Sequence, residues 1–111
     1  MQTAPKDLSA KPDRIRSFAE FYPFYLGEHT NRTCRRLHFV GSTLGLLGLP
    51  MAFLTGNAWW VLAGIVAGYA FAWVGHFVFE KNRPATFRYP LFSLAGDWVM
   101  YKDILTGRIP F

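Results

Sequence analysis

Two long apolar runs dominate the pattern of hydrophobic and polar positions along this chain. Residues 37–54 and residues 58–79 contain no charged side chain other than one histidine each. A membrane-spanning helix needs roughly 20 apolar residues. The second run meets this length, and the first is marginal, with Pro50 tolerable near its end. Because only the sequence TGN separates the runs, they are predicted to form a transmembrane helical hairpin.

Periodic apolar positions predict a further helix before the hairpin. Ile15, Phe18, Tyr22 and Tyr25 recur at spacings of three and four, as on one helical face. This helix is predicted to start at Pro12–Asp13 and to be kinked or ended at Pro23. Its aromatic content indicates a segment at the lipid headgroup level, with the aromatic core face of a soluble helix as the alternative.

A second amphipathic helix is predicted over residues 90–105. Apolar side chains repeat there at spacings of three and four, at positions Leu91, Leu94, Trp98, Tyr101 and Leu105. The helix would cover the hairpin or lie in the membrane interface. The predicted fold is therefore an all-α integral membrane protein, a two-span hairpin flanked by amphipathic interfacial helices. Residues 1–11 are predicted to be a mobile arm and residues 12–111 a single membrane domain.

Composition and charge agree with a membrane protein. The chain has 111 residues, of which 51% are hydrophobic and 17% charged, too apolar for a disordered chain. The net charge is +5, and the basic residues flank the apolar runs, which favours lipid over nucleic acid as the partner. The polar N-terminal stretch indicates no secretory signal peptide. A single cysteine, Cys34, excludes an internal disulfide.

The distribution of charge and glycine refines the hairpin. Basic residues stand on its outer flanks and are missing from its turn, so both ends are predicted to be cytoplasmic. The flanking residues are Arg32, Arg35 and Arg36 before the first run and Lys81, Arg83 and Arg88 after the second. Glycines at spacings of three and four favour close approach of the two helices, the alternative being chance. They are Gly41, Gly45, Gly48, Gly64 and Gly68.

The three histidines are placed so that they can meet. His38 and His76 lie almost equally far from the turn, which puts them at about the same depth, at the cytoplasmic edge of the hydrocarbon. His29 precedes His38 by nine residues, so one unbroken helix would place the two on opposite faces. A bend through Thr30–Asn31 would let both point inward.

Such a cluster suits a metal. Glu80 follows His76 by four residues and would share its helix face, so three imidazoles and a carboxylate could converge. Neutral imidazoles with a carboxylate suit non-haem iron(II) or zinc, and nearby arginines suit a carboxylate or phosphate substrate. The alternative is that the histidines are hydrogen-bonding interfacial residues. Asp97, beside the C-terminal stripe, is either a solvated or capping carboxylate or a further ligand.

Two stretches carry a family resemblance. FYPFYLGEHTNRTCRRLHFVG and FAWVGHFVFEKNRPATF resemble the 2-hydroxy fatty acid dioxygenase family of fungal and bacterial membrane proteins. The shared pattern is FY-x-x-Y, then His, Asn and His, and later G-H-x-x-F-E-K-x-x-P-A. It covers roughly residues 20–105. Fungal members carry extra spans between the motifs, whereas a single hairpin joins them here, as in a short bacterial-type member of the inner membrane.

The resemblance implies an iron(II)-dependent enzyme that uses dioxygen to shorten a 2-hydroxy fatty acid by one carbon, a step of alpha-oxidation. Iron binding would fall on His29, His38 and His76, with Glu80 or Asp97 as a further ligand or, for Glu80, as a residue that orients a histidine. The substrate would contact Arg83, Arg32 and Asn31. The rival functions are a bis-histidine haem protein for electron transfer and a non-catalytic membrane scaffold. A homo-oligomer is left open.

Overall fold

The computed structural model describes residues 15–111, and the predicted arm at residues 1–11 lies outside them. The described part of the chain is all-helical, as predicted. Its elements are α1 (Phe18–Gly27), α2 (Arg32–Thr55), α3 (Trp59–Val74), a π-helix (Gly75–Glu80), a short 3-10 helix (Ala85–Phe87) and α4 (Pro90–Leu105).

The first helix begins later than the sequence pattern predicts. Ser17 has an extended backbone, and its side chain accepts the Glu20 N–H at 3.2 Å, so it is the N-cap of α1. The predicted start at Pro12–Asp13 lies outside the described residues, and a continuous helix from there to Tyr25 is excluded because residues 15–17 are not helical. An end at Pro23 is also wrong, since α1 continues to Gly27. Pro23 has no N–H, so the carbonyl oxygen of Ala19 lacks its helical hydrogen bond. Ala19 is an exposed residue.

The predicted hairpin is formed by α2 and by α3 with its π-helical end. Both Arg32–Thr55 and Trp59–Glu80 are long and apolar enough to cross a membrane. The turn closes at Gly56, whose left-handed φ of 69° ends α2. Since α2 begins at Arg32, with Asn31 as its N-cap, the first helix is longer than the apolar run at residues 37–54.

The two helices of the hairpin touch along their glycines. A Cβ on Gly41 would lie 2.9 Å from the Gly68 carbonyl oxygen, and one on Gly48 would lie 2.6 Å from the Trp60 carbonyl oxygen. Such distances leave no room for a side chain, so the predicted close approach is confirmed.

A small core lies between α1 and α4. It is beside the end of the hairpin that is predicted to be cytoplasmic. Phe21 and Tyr25 are fully buried there and pack against Ala85, Met100 and Ile104. The aromatic face of α1 thus packs into a core, while its position at the lipid headgroup level stays a prediction.

The bounds of α4 agree with the prediction, but its apolar stripe is not buried as a unit: Leu91 and Leu105 face outward, whereas Tyr101 stacks on Phe39 of α2. Leu91 and Leu105 are 80% and 62% exposed, and Leu94 and Trp98 are also exposed. The buried face consists of the smaller or polar positions Ser93, Gly96, Met100, Asp103 and Ile104. Gly96 sits under the Tyr25 ring, where a Cβ would be 2.9 Å from the ring carbon Cδ2.

Candidate metal centre

A sharp bend between α1 and α2 turns His29 toward the hairpin. The helix α1 ends at Gly27, and the Asn31 side chain accepts the Cys34 N–H at 3.1 Å to start α2. Arg35 Nη1 donates to the carbonyl oxygens of His29 at 3.2 Å and Thr30 at 3.0 Å, which fixes the bend. The predicted bend through Thr30–Asn31 is therefore present.

A π-helical turn carries the third histidine. The segment Gly75–Glu80 continues α3 with wider turns, and Lys81 ends it with a left-handed φ of 60°. The Asn82 N–H then donates to the His76 carbonyl oxygen at 3.0 Å. Gly75 allows Cys34 to pack against this turn, since a Cβ there would lie 2.9 Å from the Cys34 sulfur.

The three histidines meet in a buried cluster. His29, His38 and His76 are 2%, 6% and 2% exposed, and their candidate ligand atoms lie within 4.8 Å of one another. The Nε2 atoms of His29 and His38 are 3.1 Å apart. The three rings stand nearly perpendicular to each other, with centroids 4.5–4.9 Å apart. The predicted convergence of the histidines is thus found.

Hydrogen bonds on the outer side of the cluster set the tautomers. The Nδ1 atoms of His29 and His38 lie 2.6 Å and 3.1 Å from the carbonyl oxygens of Tyr25 and Cys34. His76 Nδ1 lies 2.7 Å from Asn82 Oδ1. Because these oxygens only accept hydrogen bonds, each Nδ1 carries the proton. All three Nε2 atoms are then left with a free lone pair on the inner side.

This donor set fits a transition metal. Burial, with the neighbouring His38 and His76, holds the pKa of His29 well below its ordinary value, so this ring stays neutral. Two lone pairs that face each other at 3.1 Å repel unless a cation lies between them. Neutral imidazole nitrogens are favoured ligands of iron(II) and zinc. A metal held by Nε2 of His29, His38 and His76 would relieve this repulsion.

The comparison with protein families agrees with the site. The family model described as 2-hydroxy-palmitic acid dioxygenase Mpo1-like matches residues 15–109. The chain belongs to this family. No curated protein and no solved structure matches the chain. The predicted family resemblance is confirmed.

In this Mpo1-like protein, Glu80 lies outside the histidine cluster. Its carboxylate accepts the Asn31 N–H and, at 3.3 Å, the Thr30 hydroxyl. The prediction that Glu80 shares a face with His76 assumed α-helical turns, and the π-helix changes that spacing. Glu80 instead holds the loop that contains His29, which agrees with its alternative role as an orienting residue.

Asp97 is not a helix cap, because it lies within α4, and its side chain is only partly exposed. It lines the cavity beside the histidines, and its Oδ1 accepts the Tyr25 hydroxyl at 2.5 Å. The Tyr25 ring stacks on His29 with 4.0 Å between centroids. Burial raises the pKa of Asp97 to about 6. Asp97 therefore reaches His29 through Tyr25, and the cluster of candidate ligand atoms does not include it.

The residues predicted to contact the substrate lie outside the cavity beside the histidines. Arg83 is exposed and its guanidinium stacks over the Phe87 ring at 5.2 Å, in a second pocket that Arg88 also lines. Arg32 is exposed in the first turn of α2, and Asn31 caps that helix. None of Arg83, Arg32 and Asn31 lines the cavity beside the histidines.

Sequence reasoning missed the contribution of Asn82. Its Nδ2 donates to the backbone carbonyl oxygen of Glu28 at 3.2 Å and to Glu28 Oε1 at 3.3 Å. These bonds orient the amide so that Oδ1 faces His76. Asn82 belongs to the EKNRPA segment, which is part of the family pattern. The pattern allows any residue at the position of the asparagine, so it did not indicate a role for Asn82.

The histidine cluster opens into an apolar cavity of about 430 Å³. His38 and His76 form part of its wall, together with residues of α2, α3 and α4. A volume of this size lies within the range of small-molecule sites. The metal centre and the cavity therefore form one continuous site in this Mpo1-like protein.

Proposed function

We propose that this protein is an iron(II)-dependent dioxygenase that shortens a 2-hydroxy fatty acid by one carbon. One observation carries the proposal: the candidate ligand nitrogens of three buried histidines lie within 4.8 Å of one another, and two of these histidines line an apolar cavity. The family name, 2-hydroxy-palmitic acid dioxygenase Mpo1-like, supports the substrate class. In the balanced reaction, a 2-hydroxy acid and dioxygen give the acid one carbon shorter, carbon dioxide and water.

The chain's own residues prepare the ligands. Backbone carbonyls of Tyr25 and Cys34 and the Asn82 side chain keep each Nδ1 protonated, so that Nε2 of each histidine stays free. Burial keeps water away from the cluster. Iron(II), when bound, supplies the redox chemistry that allows dioxygen to react with the substrate. Arg83 remains our proposed partner for the substrate carboxylate, because the pocket that Arg83 lines shares Pro84 with the cavity.

The bis-histidine haem alternative fits poorly. The rings of His38 and His76 are only 4.9 Å apart between centroids, and the His29 ring lies 4.5 Å from each. A porphyrin between His38 and His76 would have to occupy the space that His29 fills. Three inward nitrogens instead suit a single non-haem ion.

We also propose that the hairpin crosses the bacterial inner membrane with both chain ends in the cytoplasm. In each of the two helices, only 17% of the most apolar 18-residue stretch is buried inside the protein. The core helix of a soluble protein is mostly buried. Large side chains such as Phe53, Leu54 and Val66 are exposed, which is costly in water and not in lipid.

Thiol labelling of intact cells tests this orientation. In a Cys34→Ala background, Ala58→Cys should react with a membrane-impermeant reagent, because Ala58 is exposed in the turn. Arg108→Cys, near the C-terminus, should react only after lysis. Labelling of position 58 only after lysis would contradict the proposed orientation.

Product analysis tests the reaction. With iron(II) and dioxygen, purified protein is expected to convert 2-hydroxypalmitic acid to the acid one carbon shorter, detected by mass spectrometry. Palmitic acid should react poorly, because it lacks the hydroxyl that completes a chelating pair of oxygens. No 2-oxoglutarate should be needed. Turnover that is unchanged under strict anaerobiosis would rule out a dioxygenase.

A further inference from the structure

The cavity changes in polarity from one end to the other. At the histidine end its wall includes His38, His76, Thr86, Ser93 and Asp97. Away from that end the wall consists of glycines and apolar side chains of α2 and α3, apart from Ser42 and Tyr69, and it finishes at Leu49 and Val61. A ligand that matches this wall has one polar end and one long apolar tail.

The cavity is long and narrow. Its wall follows α3 from His76 to Val61, fifteen residues apart, which corresponds to roughly 22 Å along the helix. Part of this wall is shallow because it is formed by glycines, which have no side chain. They are Gly41, Gly45, Gly64 and Gly68. A volume of about 430 Å³ spread over such a length leaves the width of a single alkyl chain.

The helix α4 covers only the polar half of the cavity. Ser93, Leu94, Asp97 and Trp98 contribute to the wall, and all four lie within the first nine residues of α4. The remaining wall comes from the hairpin, where Leu46, Leu49 and Ile65 are exposed. A tail can therefore enter sideways from the bilayer while its polar end passes under α4.

We infer that this groove, from His76 to Leu49 and Val61 between α2 and α3, binds the acyl tail of the substrate and that its far end sets the longest tail accepted. The inference rests on the proposed function, which supplies a 2-hydroxy fatty acid as the occupant. Each methylene that fits inside the groove exchanges loose contacts with lipid for close contacts with the groove wall. A tail longer than the groove must bend out past Val61 and gains less.

Substitutions along the groove test the length limit. Ala72→Phe fills the groove one helical turn from His76, and Val61→Phe fills its far end. Val61→Phe should lower the ratio of kcat/KM for 2-hydroxypalmitic acid to that for 2-hydroxydecanoic acid by about tenfold or more. Ala72→Phe should lower kcat/KM for both acids, because both tails pass this point.

The matched controls place the same side chain on the outer face of the same helix. Ala63 and Ala70 are exposed and do not line the groove. Ala63→Phe and Ala70→Phe should leave the chain-length ratio as in the parent protein. The inference fails if Val61→Phe leaves this ratio unchanged, or if the control variants change it equally.

Photo-crosslinking separates this inference from the proposed reaction. A 2-hydroxypalmitic acid with a diazirine at the tail end should label Leu49, Val61 and Ile65, and a shorter acid should label nearer to His76. Labels spread evenly over the lipid-facing side chains would overturn the inference. So would equal labelling by a phosphatidylcholine that carries the same tail, since bilayer lipid would then be the occupant. Ordered labelling without any turnover would keep the groove and refute only the proposed reaction.

Discussion

Replacing His76 with alanine is expected to remove most of the bound iron while the protein stays folded in detergent. His76 supplies one of three inward nitrogens, and the two that remain cannot complete the site alone. His29→Ala and His38→Ala should have the same effect, because all three rings share one cluster. Metal analysis of protein purified without chelators measures the loss, and circular dichroism and gel filtration report the fold.

Phe77→Ala is the matched control for this series. Phe77 lies next to His76 on the same π-helical turn, but half of its surface is exposed and it does not line the cavity. Its truncation should leave the iron content as in the parent protein. Full iron occupancy in His76→Ala would show that the three histidines do not share a metal.

Substitution of Asn82 is expected to weaken iron binding less than substitution of a histidine. Asn82→Ala removes the acceptor of the His76 Nδ1–H, so the ring can rotate or change tautomer. Loss of such an outer partner weakens metal binding by about 10–100-fold, less than loss of the ligand itself. Asn82→Asp keeps an acceptor oxygen but loses the donor to Glu28 and brings two carboxylates together, so it should also bind iron more weakly than the parent protein. If Asn82→Ala binds iron as tightly as the parent protein, Asn82 has no orienting role.

Gly48→Ala is expected to destabilise the hairpin by about 1–3 kcal/mol. The added methyl would lie 2.6 Å from the Trp60 carbonyl oxygen and 3.5 Å from the Gly64 Cα. These are backbone atoms that cannot move aside as a side chain would, so α2 and α3 must separate. A lower midpoint of thermal unfolding in detergent is the expected measurement.

Gly45→Ala is the control for this change, in the same helix and one turn earlier. A Cβ there meets only the Gly64 carbonyl oxygen, at 3.6 Å, which is an ordinary contact. Alanine is also the better helix former by about 1 kcal/mol. This variant should be as stable as the parent protein or more stable. Equal destabilisation by both substitutions would mean that close helix contact at Gly48 is not the cause.

The sequence by itself determined the hairpin and the meeting of the histidines. Both depend on relations that are local or counted along the chain: the length of two apolar runs, the short turn, and the equal distances of His38 and His76 from that turn. The long family pattern around His29 and His76 determined the family, which the match over residues 15–109 confirms. The bend before α2 was the condition under which His29 and His38, nine residues apart, could both point inward.

Only the tertiary structure decided how the site is supported. Glu80 left the cluster because a π-helix replaced the α-helical turns on which the sequence argument relied. Asn82 and Glu28 meet across 54 positions, and Tyr25 and Asp97 across 72, so no local pattern reveals their hydrogen bonds. The buried face of α4 was also decided by tertiary contacts. Gly96 of α4 is buried because the Tyr25 ring of α1 lies against it, and no apolar periodicity along α4 indicates that contact.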